Sequence, residues 1–485
     1  MQNLKGQVEI FNCLFETFLG TKPDSIVPLP ESGSARRYFR LVSGNKSFIG
    51  TYHTVTEENR AFVSFARHFF KIGLAVPQVL AVSDDYIAYI QTDLGDTSLF
   101  KLVQDAMNQG DFHPLIIDYY KDALNNLLRF QIKGHQGLDY GLAFPTSHFD
   151  EKAIRDDLNY FKYYFLKLHP EIVYNEAGLE HDFDLLTKFI AQAPSDFFMY
   201  RDFQSRNIMI HDGKTYFIDF QGGRRGPLQY DVVSLLFQVK AQIPEEVKAE
   251  LLKYYLQQLK KHTDVQAIQF EHYFPAFVYL RLMQVLGAYG YRGLIQKKRH
   301  FVESIPFALN SLGSLPSQYD IPLSLPVLKG IFLQLGKLKS RYQLHKSKAF
   351  ESFTLNVNSF SYKKGGIPED LSGNGGGFVF DCRPLPNPGR EDKYKMLTGR
   401  DKEVIDFLKN HQEVDAFLEN VKAILTQSIN NYSARGFKHL MINFGCTGGQ
   451  HRSVYCAETI TAWLRKSYPE LIVSCKHREQ QFDDE

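Results

Sequence analysis

Three oxygen-bearing side chains stand out by their spacing. Asp202 and Asn207 lie five residues apart in YRDFQSRN, and Asp219 follows in YFIDFQ after the tight turn His211-Asp212-Gly213-Lys214. Phosphoryl transfer asks for such a set: a carboxylate facing the acceptor hydroxyl, and an amide oxygen with a second carboxylate to hold Mg2+ on the nucleotide phosphates. Two unrelated turns with Asx caps would give the same residues without the chemistry. A second cluster, Gly445-Cys446-Thr447-Gly448-Gly449, follows an apolar run and leads through His451, Arg452 and Ser453 into a helical pattern. Backbone N–H groups at a helix start attract anions, and glycines let the chain approach a phosphate closely. The structural alternative is a tight strand-to-helix turn that needs glycine for its backbone. Cys446 and Arg452 also have a phosphatase-loop spacing. With no histidine directly before Cys446 and no credible acid loop, phosphate binding alone accounts for these residues.

Apolar periodicity predicts the elements that position these groups. Residues 36–42 and 46–52 flank Ser43-Gly44-Asn45, a hairpin signal. A helix begins at Thr56, a candidate N-cap, with Phe62, Phe65, Ala66, Phe69 and Phe70 on one face. Residues 86–92 read as a buried strand. Helical patterns fill 115–133, 151–168, 229–240, 244–261 and 273–287, interrupted by a β-rich island at 197–220. This order predicts an α+β protein-kinase-like bilobal domain, with an N-lobe over 1–95 and a helical lobe over 96–312. Prolines and serines, then the basic run KLKSRYQLHKSK, mark 313–349 as a solvated linker or connecting helix. Strands alternating with helices over 350–485 predict a smaller α/β domain.

The Asp-to-Asn spacing matches the protein-kinase pattern H-R-D-L-x-x-x-N followed by D-F-G, with Tyr200 in place of the histidine. YRDFQSRNIM and YFIDFQGGRRGPLQYDVVSLL resemble the aminoglycoside phosphotransferase/choline kinase superfamily. Within it, the likeness is to bacterial anomeric kinases of N-acetylmuramate and N-acetylglucosamine. LPESGSARRYFRL, EENRAFVSFARHFFKIGLAVPQVL, QTDLGD and RLMQVLGAYGYRG extend it over residues 5–310. The resemblance implies Asp202 as catalytic base, Asn207 and Asp219 as Mg2+ ligands, and Asp231 as a structural brace. It implies ATP as cosubstrate and a sugar 1-phosphate product in cell-wall recycling. Ser32, Gly33 and Ser34 would cover the ATP phosphates. Backbone groups from Thr92 to Leu94 would bind adenine, and Glu58 would hold the partner position of the strand lysine. That lysine is missing from SFIGTYH, so Arg36 or Arg37 is the candidate cation, a fork that can clamp phosphate oxygens. Arg281 and Gln284 of RLMQVLG are candidate substrate contacts in the helical lobe, but read first as structural. Two other readings remain: a kinase for an amino alcohol or aminoglycoside, and a non-catalytic metabolite- or RNA-binding adaptor with a degenerate kinase lobe.

SFSYKKGGIPED, FVFDCRPLPNPGR, LTGRDKEVIDFL and FGCTGGQHRSV resemble, in that order, the C-terminal domain of the RapZ family. The resemblance implies a pocket for a hexosamine phosphate (glucosamine 6-phosphate) at Cys446, Thr447, Gly448, Gly449, His451, Arg452 and Ser453. Arg383 and Asn387 would line it, although Arg383 reads equally as an ion-pair partner of Asp381. Self-association and regulation of the kinase are further expectations. No GxxxxGK[ST] occurs, so the RapZ P-loop domain has no counterpart here. With 56 Lys+Arg against 54 Asp+Glu, no basic footprint points to RNA or an anionic membrane. The five cysteines are scattered without metal or disulfide spacing. No apolar run approaches the ~18 residues of a membrane span, and the first residues read as an amphipathic helix rather than a leader. The expected location is the cytoplasm.

Overall fold

β1 (Ser25–Pro28), β2 (Arg37–Ser43), β3 (Lys46–Tyr52), β4 (Val79–Val82) and β5 (Ala88–Thr92) form an antiparallel sheet in the order β1-β2-β3-β5-β4. Alternation along β2 buries Phe39 and Leu41 on one face. There they meet Phe11 and Phe15 of the helix Gln2–Leu19. On the other face the helix Thr56–Lys71 stacks Phe62 on Tyr89 of β5, ring centroids 4.9 Å apart. That helix starts where predicted, but Thr56 is its first residue, and Val55 caps it without a side-chain hydrogen bond. The strand expected from residue 86 starts at Ala88, because Tyr86 turns with φ +60°.

The computed structural model describes residues 2–30, 36–109, 113–342, 353–370, 372 and 376–480. It divides into two units, Met1–Gln343 and Leu344–Glu485. In the first, a helical lobe surrounds two short ribbons: β6 (Phe197–Met199) with β9 (Arg224–Gly226), and β7 (Ile208–His211) with β8 (Lys214–Phe217). The helix Ala267–Tyr289 runs through its centre and packs on Glu151–Tyr164.

Residues 313–342 are largely helical, as the connecting-helix reading allowed, but they are not a solvated linker. They continue the helix Ile305–Gln318 into a hairpin with Pro326–Lys337. Leu312, Leu315, Leu328, Ile331, Phe332 and Leu335 are buried in the helical-lobe core. Pro326 occupies the first helical turn, where its missing N–H is harmless. A Cβ at Gly313 would lie 3.1 Å from the Cα of Gly336, so paired glycines permit this close helix contact. Residues 343–349 fall outside the described residues.

The second unit holds four parallel strands, β10 (Thr354–Ser361), β11 (Gly377–Asp381), β12 (His439–Cys446) and β13 (Ile472–His477), in the order β11-β12-β10-β13. The helices Gln412–Ala434 and Arg452–Ser467 supply Leu418, Val421, Leu425, Ile460 and Leu464 to its core. The chain leaves β10 across β12 to reach β11, and leaves β12 across β10 to reach β13. The carboxyl ends of β10 and β12 therefore flank a topological switch point, where parallel sheets open a crevice for ligands. Among the described residues of both units, no helix is long and apolar enough to cross a membrane.

Candidate active site

The loop after β6 is held from below by two buried charges. Asp231, on the helix Gln229–Leu236, accepts the backbone N–H of Tyr200 at 2.7 Å and of Arg201 at 2.9 Å. Burial pushes its carboxyl up to about 7, against the lowering pull of those two donors. Arg201 adopts φ +77° and sends its guanidinium to Asp157, at 2.6 and 2.8 Å. The rings of Tyr230 and Phe149 pack on it. Burial opposes the Arg201 charge, and Asp157 restores it.

Held on that loop, Asp202 faces the cleft with its side chain 41% exposed. Its Oδ1 accepts from Gln204 at 2.6 Å and from the buried Arg281 at 3.5 Å. Asn207 donates through Nδ2 to the Asp202 carbonyl at 2.9 Å and to Asp219 Oδ2 at 3.2 Å, which leaves its amide oxygen as an acceptor. Asp219 does not end β8; it lies two residues beyond, at φ +71°, with Gln221 donating to its Oδ1 at 2.8 Å. Tyr200 donates its hydroxyl to the Ile218 carbonyl at 2.6 Å, tying the Asp202 loop to the Asp219 segment. Phe220 stacks on Phe62, so that segment also rests on the N-lobe helix.

One cleft of about 540 Å³ brings together Arg36, Glu58, Thr92, Leu94, Asp202, Asn207 and Asp219. Arg36, buried, pairs with Glu58 at 3.2 Å and also feels the Asp219 charge. Arg37 starts β2 on an exposed position, so of the two arginines it is Arg36 that reaches the cleft. Thr92 gives its N–H to the Gln78 carbonyl, so that N–H is engaged within the sheet and cannot serve adenine. Ser32, Gly33 and Ser34 lie outside the described residues. Asp231 lies beneath the loop, outside the cleft lining.

Several cleft residues were not singled out from sequence. Arg40 binds Asp93 at 2.7 Å and Asp96 at 2.8 Å, fastening β2 to the QTDLGD segment. The alternation of RRYFR, which puts Arg36, Tyr38 and Arg40 on one side, was the signal for it. Arg281, named from sequence and lying outside the cleft lining, reaches the Asp202 carboxylate. Arg206 and Arg292 complete the basic lining.

In the second unit the glycine turn leaves β12 at the switch point. Ser361, the register partner of Cys446, donates its hydroxyl to the Thr447 carbonyl at 2.7 Å. Much of the expected phosphate set is engaged internally. The Cys446 thiol is buried, accepts the Gly449 N–H at 3.2 Å and faces the Ser453 hydroxyl at 3.1 Å. Arg452 donates to the carbonyls of Arg383 and Leu385, and His451 contacts the Tyr394 carbonyl. Thr447 and Gly448 remain more open. Arg383 pairs with Asp381 at 2.6 Å and lies over the Tyr362 ring. Asn387 precedes the short turn Pro388–Arg390 and does not cap it.

Residues 25–267 match the phosphotransferase enzyme family, and residues 353–481 match the RapZ C-terminal domain. A nucleotide-binding protein of Polaromonas naphthalenivorans is 34% identical over 181 residues, 37% of this chain and 58% of that protein. One from Bacillus subtilis is 41% identical over 118 residues, 24% of this chain and 38% of that protein. The chain thus spans between 38% and 58% of the length of these curated relatives. A solved choline/ethanolamine kinase family protein from Mesorhizobium loti aligns with a TM-score of 0.43 and 14% identity, over 70% of this chain and 100% of that one.

Proposed function

We propose a substrate for a chain that belongs to the phosphotransferase enzyme family and carries a RapZ C-terminal domain: it transfers the γ-phosphoryl group of ATP to the anomeric hydroxyl of N-acetylmuramate and/or N-acetylglucosamine. The observation that carries phosphoryl transfer is the convergence of Asp202, Asn207 and Asp219 with the Arg36–Glu58 pair in one cleft. The acceptor rests on the resemblance of the chain to anomeric amino-sugar kinases.

Asp202 orients the acceptor hydroxyl and takes its proton as the phosphoryl group is attacked. Gln204 and Arg281, both on Oδ1, hold that carboxylate in place. Arg36 replaces the absent strand lysine as the cation for the nucleotide phosphates. The residues present fit a hard divalent cation: a carboxylate and an amide oxygen side by side, with the amide protons already engaged. Asn207 and Asp219 would hold Mg2+, which neutralises charge on the phosphates. The remaining contribution is positioning in a preorganised cleft. The C-terminal unit binds a hexosamine phosphate at the switch-point crevice and regulates the kinase. ATP use agrees with a cytosolic setting.

Phosphorus NMR on protein with Mg-ATP and each sugar tests the reading. A new resonance coupled to the anomeric proton is expected. ATP bound without any sugar phosphate formed would refute it.

A further inference from the structure

The helical-lobe side of the cleft carries more positive charge than the proposed reaction on ATP accounts for. Arg206, on the turn Ser205–Asn207, and Arg292, on the turn Gly290–Ile295, both line the cleft beside Asp202. Neither has a carboxylate partner among the described residues, whereas Arg36, Arg40, Arg201 and Arg281 all do. Lys240 and His300 are close enough to feel the Arg206 charge, and Lys298 is a further cation beside His300. Lys240 and His300 are held below their ordinary values, first by burial and also by neighbouring cations, with Glu303 the acid that opposes this. Arg292 lies 5.4 Å over the Phe301 ring and close to Tyr160, which with Tyr164 and Tyr291 forms an aromatic group on the same lobe. None of these groups belongs to the β1–β5 sheet, which brings Arg36 to the nucleotide side.

From this placement we infer that the acceptor carries a carboxylate, and that Arg206 and Arg292 recognise it. The inference rests on the kinase reading above and narrows its acceptor. N-Acetylmuramate and N-acetylglucosamine differ by one lactyl ether bearing a carboxylate, so the acid is the favoured sugar. A guanidinium with no carboxylate partner keeps its donors available, and a charge-assisted hydrogen bond is among the stronger polar contacts. The same rim repels a cationic acceptor such as an amino alcohol.

The test compares kcat/KM for the two sugars, together with KM for ATP, in the wild-type chain, Arg206→Gln and Arg292→Gln. The wild type should prefer the acid. Each substitution should lower that preference by about tenfold or more, in line with the loss of one charged hydrogen bond. Loss of both sugars in equal proportion with a raised KM for ATP would overturn the inference, because the arginines would then serve phosphate. So would a wild-type preference for the neutral sugar. If neither sugar is turned over, the acceptor reading falls. Calorimetric binding of glucuronate against glucose, with ADP and Mg2+ present, then decides the inference separately. Tighter binding of the acid that both substitutions abolish sustains it, and equal binding sinks it.

Discussion

Asp157→Ala tests whether a buried charge holds the loop that carries Asp202. The Asp157 side chain is 7% exposed and grips Arg201 with two short bonds, one residue before Asp202. A second arginine, Arg224, is also buried nearby. Burial and then the Arg201 charge push its guanidinium down to about 10, with Asp157 opposing the shift. Removing Asp157 therefore strands Arg201 and weakens the balance at Arg224. Breaking one side of a buried pair costs about 3–5 kcal/mol, whereas replacing both partners with apolar groups is far milder. Asp157→Ala should lower the stability of the first unit by about 3–5 kcal/mol. Adding Arg201→Met, which can fill the space against Phe149 and Tyr230, should recover most of that loss. Urea unfolding followed by circular dichroism reads the whole chain. Emission of Trp463, the single tryptophan, reads the second unit alone. The Trp463 transition should stay in place while the other moves. A loss below about 1 kcal/mol, or a double variant as unstable as Asp157→Ala, would refute the reasoning.

Three further outcomes are expected. Asp202→Asn should lower kcat by about 10²–10⁴ while leaving the unfolding midpoint and nucleotide affinity near wild type, because a half-exposed amide keeps the Oδ1 acceptor; turnover within tenfold of wild type would remove Asp202 from proton transfer. Gly290→Ala should destabilise the first unit by about 2 kcal/mol or more and weaken acceptor binding, because its Cβ would lie 1.8 Å from the Tyr164 carbonyl oxygen and the turn carrying Arg292 must move; thermal melting and KM read the two effects. His477 is raised to about 9: burial opposes this, while bonds from Cys475 and Glu458 support it. Its contribution is therefore full below its unfolded value near 6.5 and lost as pH rises through 9. With Glu458 partly exposed, the loss in the second unit should be about 1–2 kcal/mol. Urea midpoints from Trp463 emission at pH 6 and pH 10 check it, and His477→Gln should flatten the difference.

The Asp202–Asn207 loop was legible because its geometry is local. Asp202 and Asn207 sit on one loop, and their spacing reflects the backbone path that brings Asn207 Nδ2 back to the Asp202 carbonyl. The helix face Phe62, Phe65 and Phe69 was legible for the same reason, since 3.6-residue periodicity is a property of the segment itself. The misread parts depend on distant partners. Prolines and serines in 313–342 describe turns and an exposed face, but burial there comes from packing on the helix Glu176–Ala191, as where Asp182 takes the Leu328 N–H at 2.8 Å. Sequence alone leaves Arg281 between a structural role and a substrate contact. Only the fold shows that it meets Asp202 across 79 positions of sequence. Thr56 failed as a cap for a smaller reason, a helix start displaced by one residue.

The two units share one physical device, and it separates residues that hold a site from residues that act in it. In the first, Asp231 takes the backbone N–H groups of Tyr200 and Arg201, on the loop that carries Asp202. In the second, Arg452 gives one nitrogen to two backbone carbonyls, of Arg383 and Leu385, beside the glycine turn. Each is a buried side chain on a helix directed at loop backbone, where leaving a polar group unpaired is costly. Loss of either should therefore disorder a loop before it changes any contact with ligand. Asp202, Arg206 and Arg292 face the cleft instead, and their loss should change turnover or acceptor choice while the fold stays intact. Arg452 carried the strongest sequence signal of the second unit, yet its bonds place it with Asp231. Arg452→Gln should then weaken hexosamine-phosphate binding together with Trp463-monitored stability, whereas a direct phosphate ligand would lose binding alone.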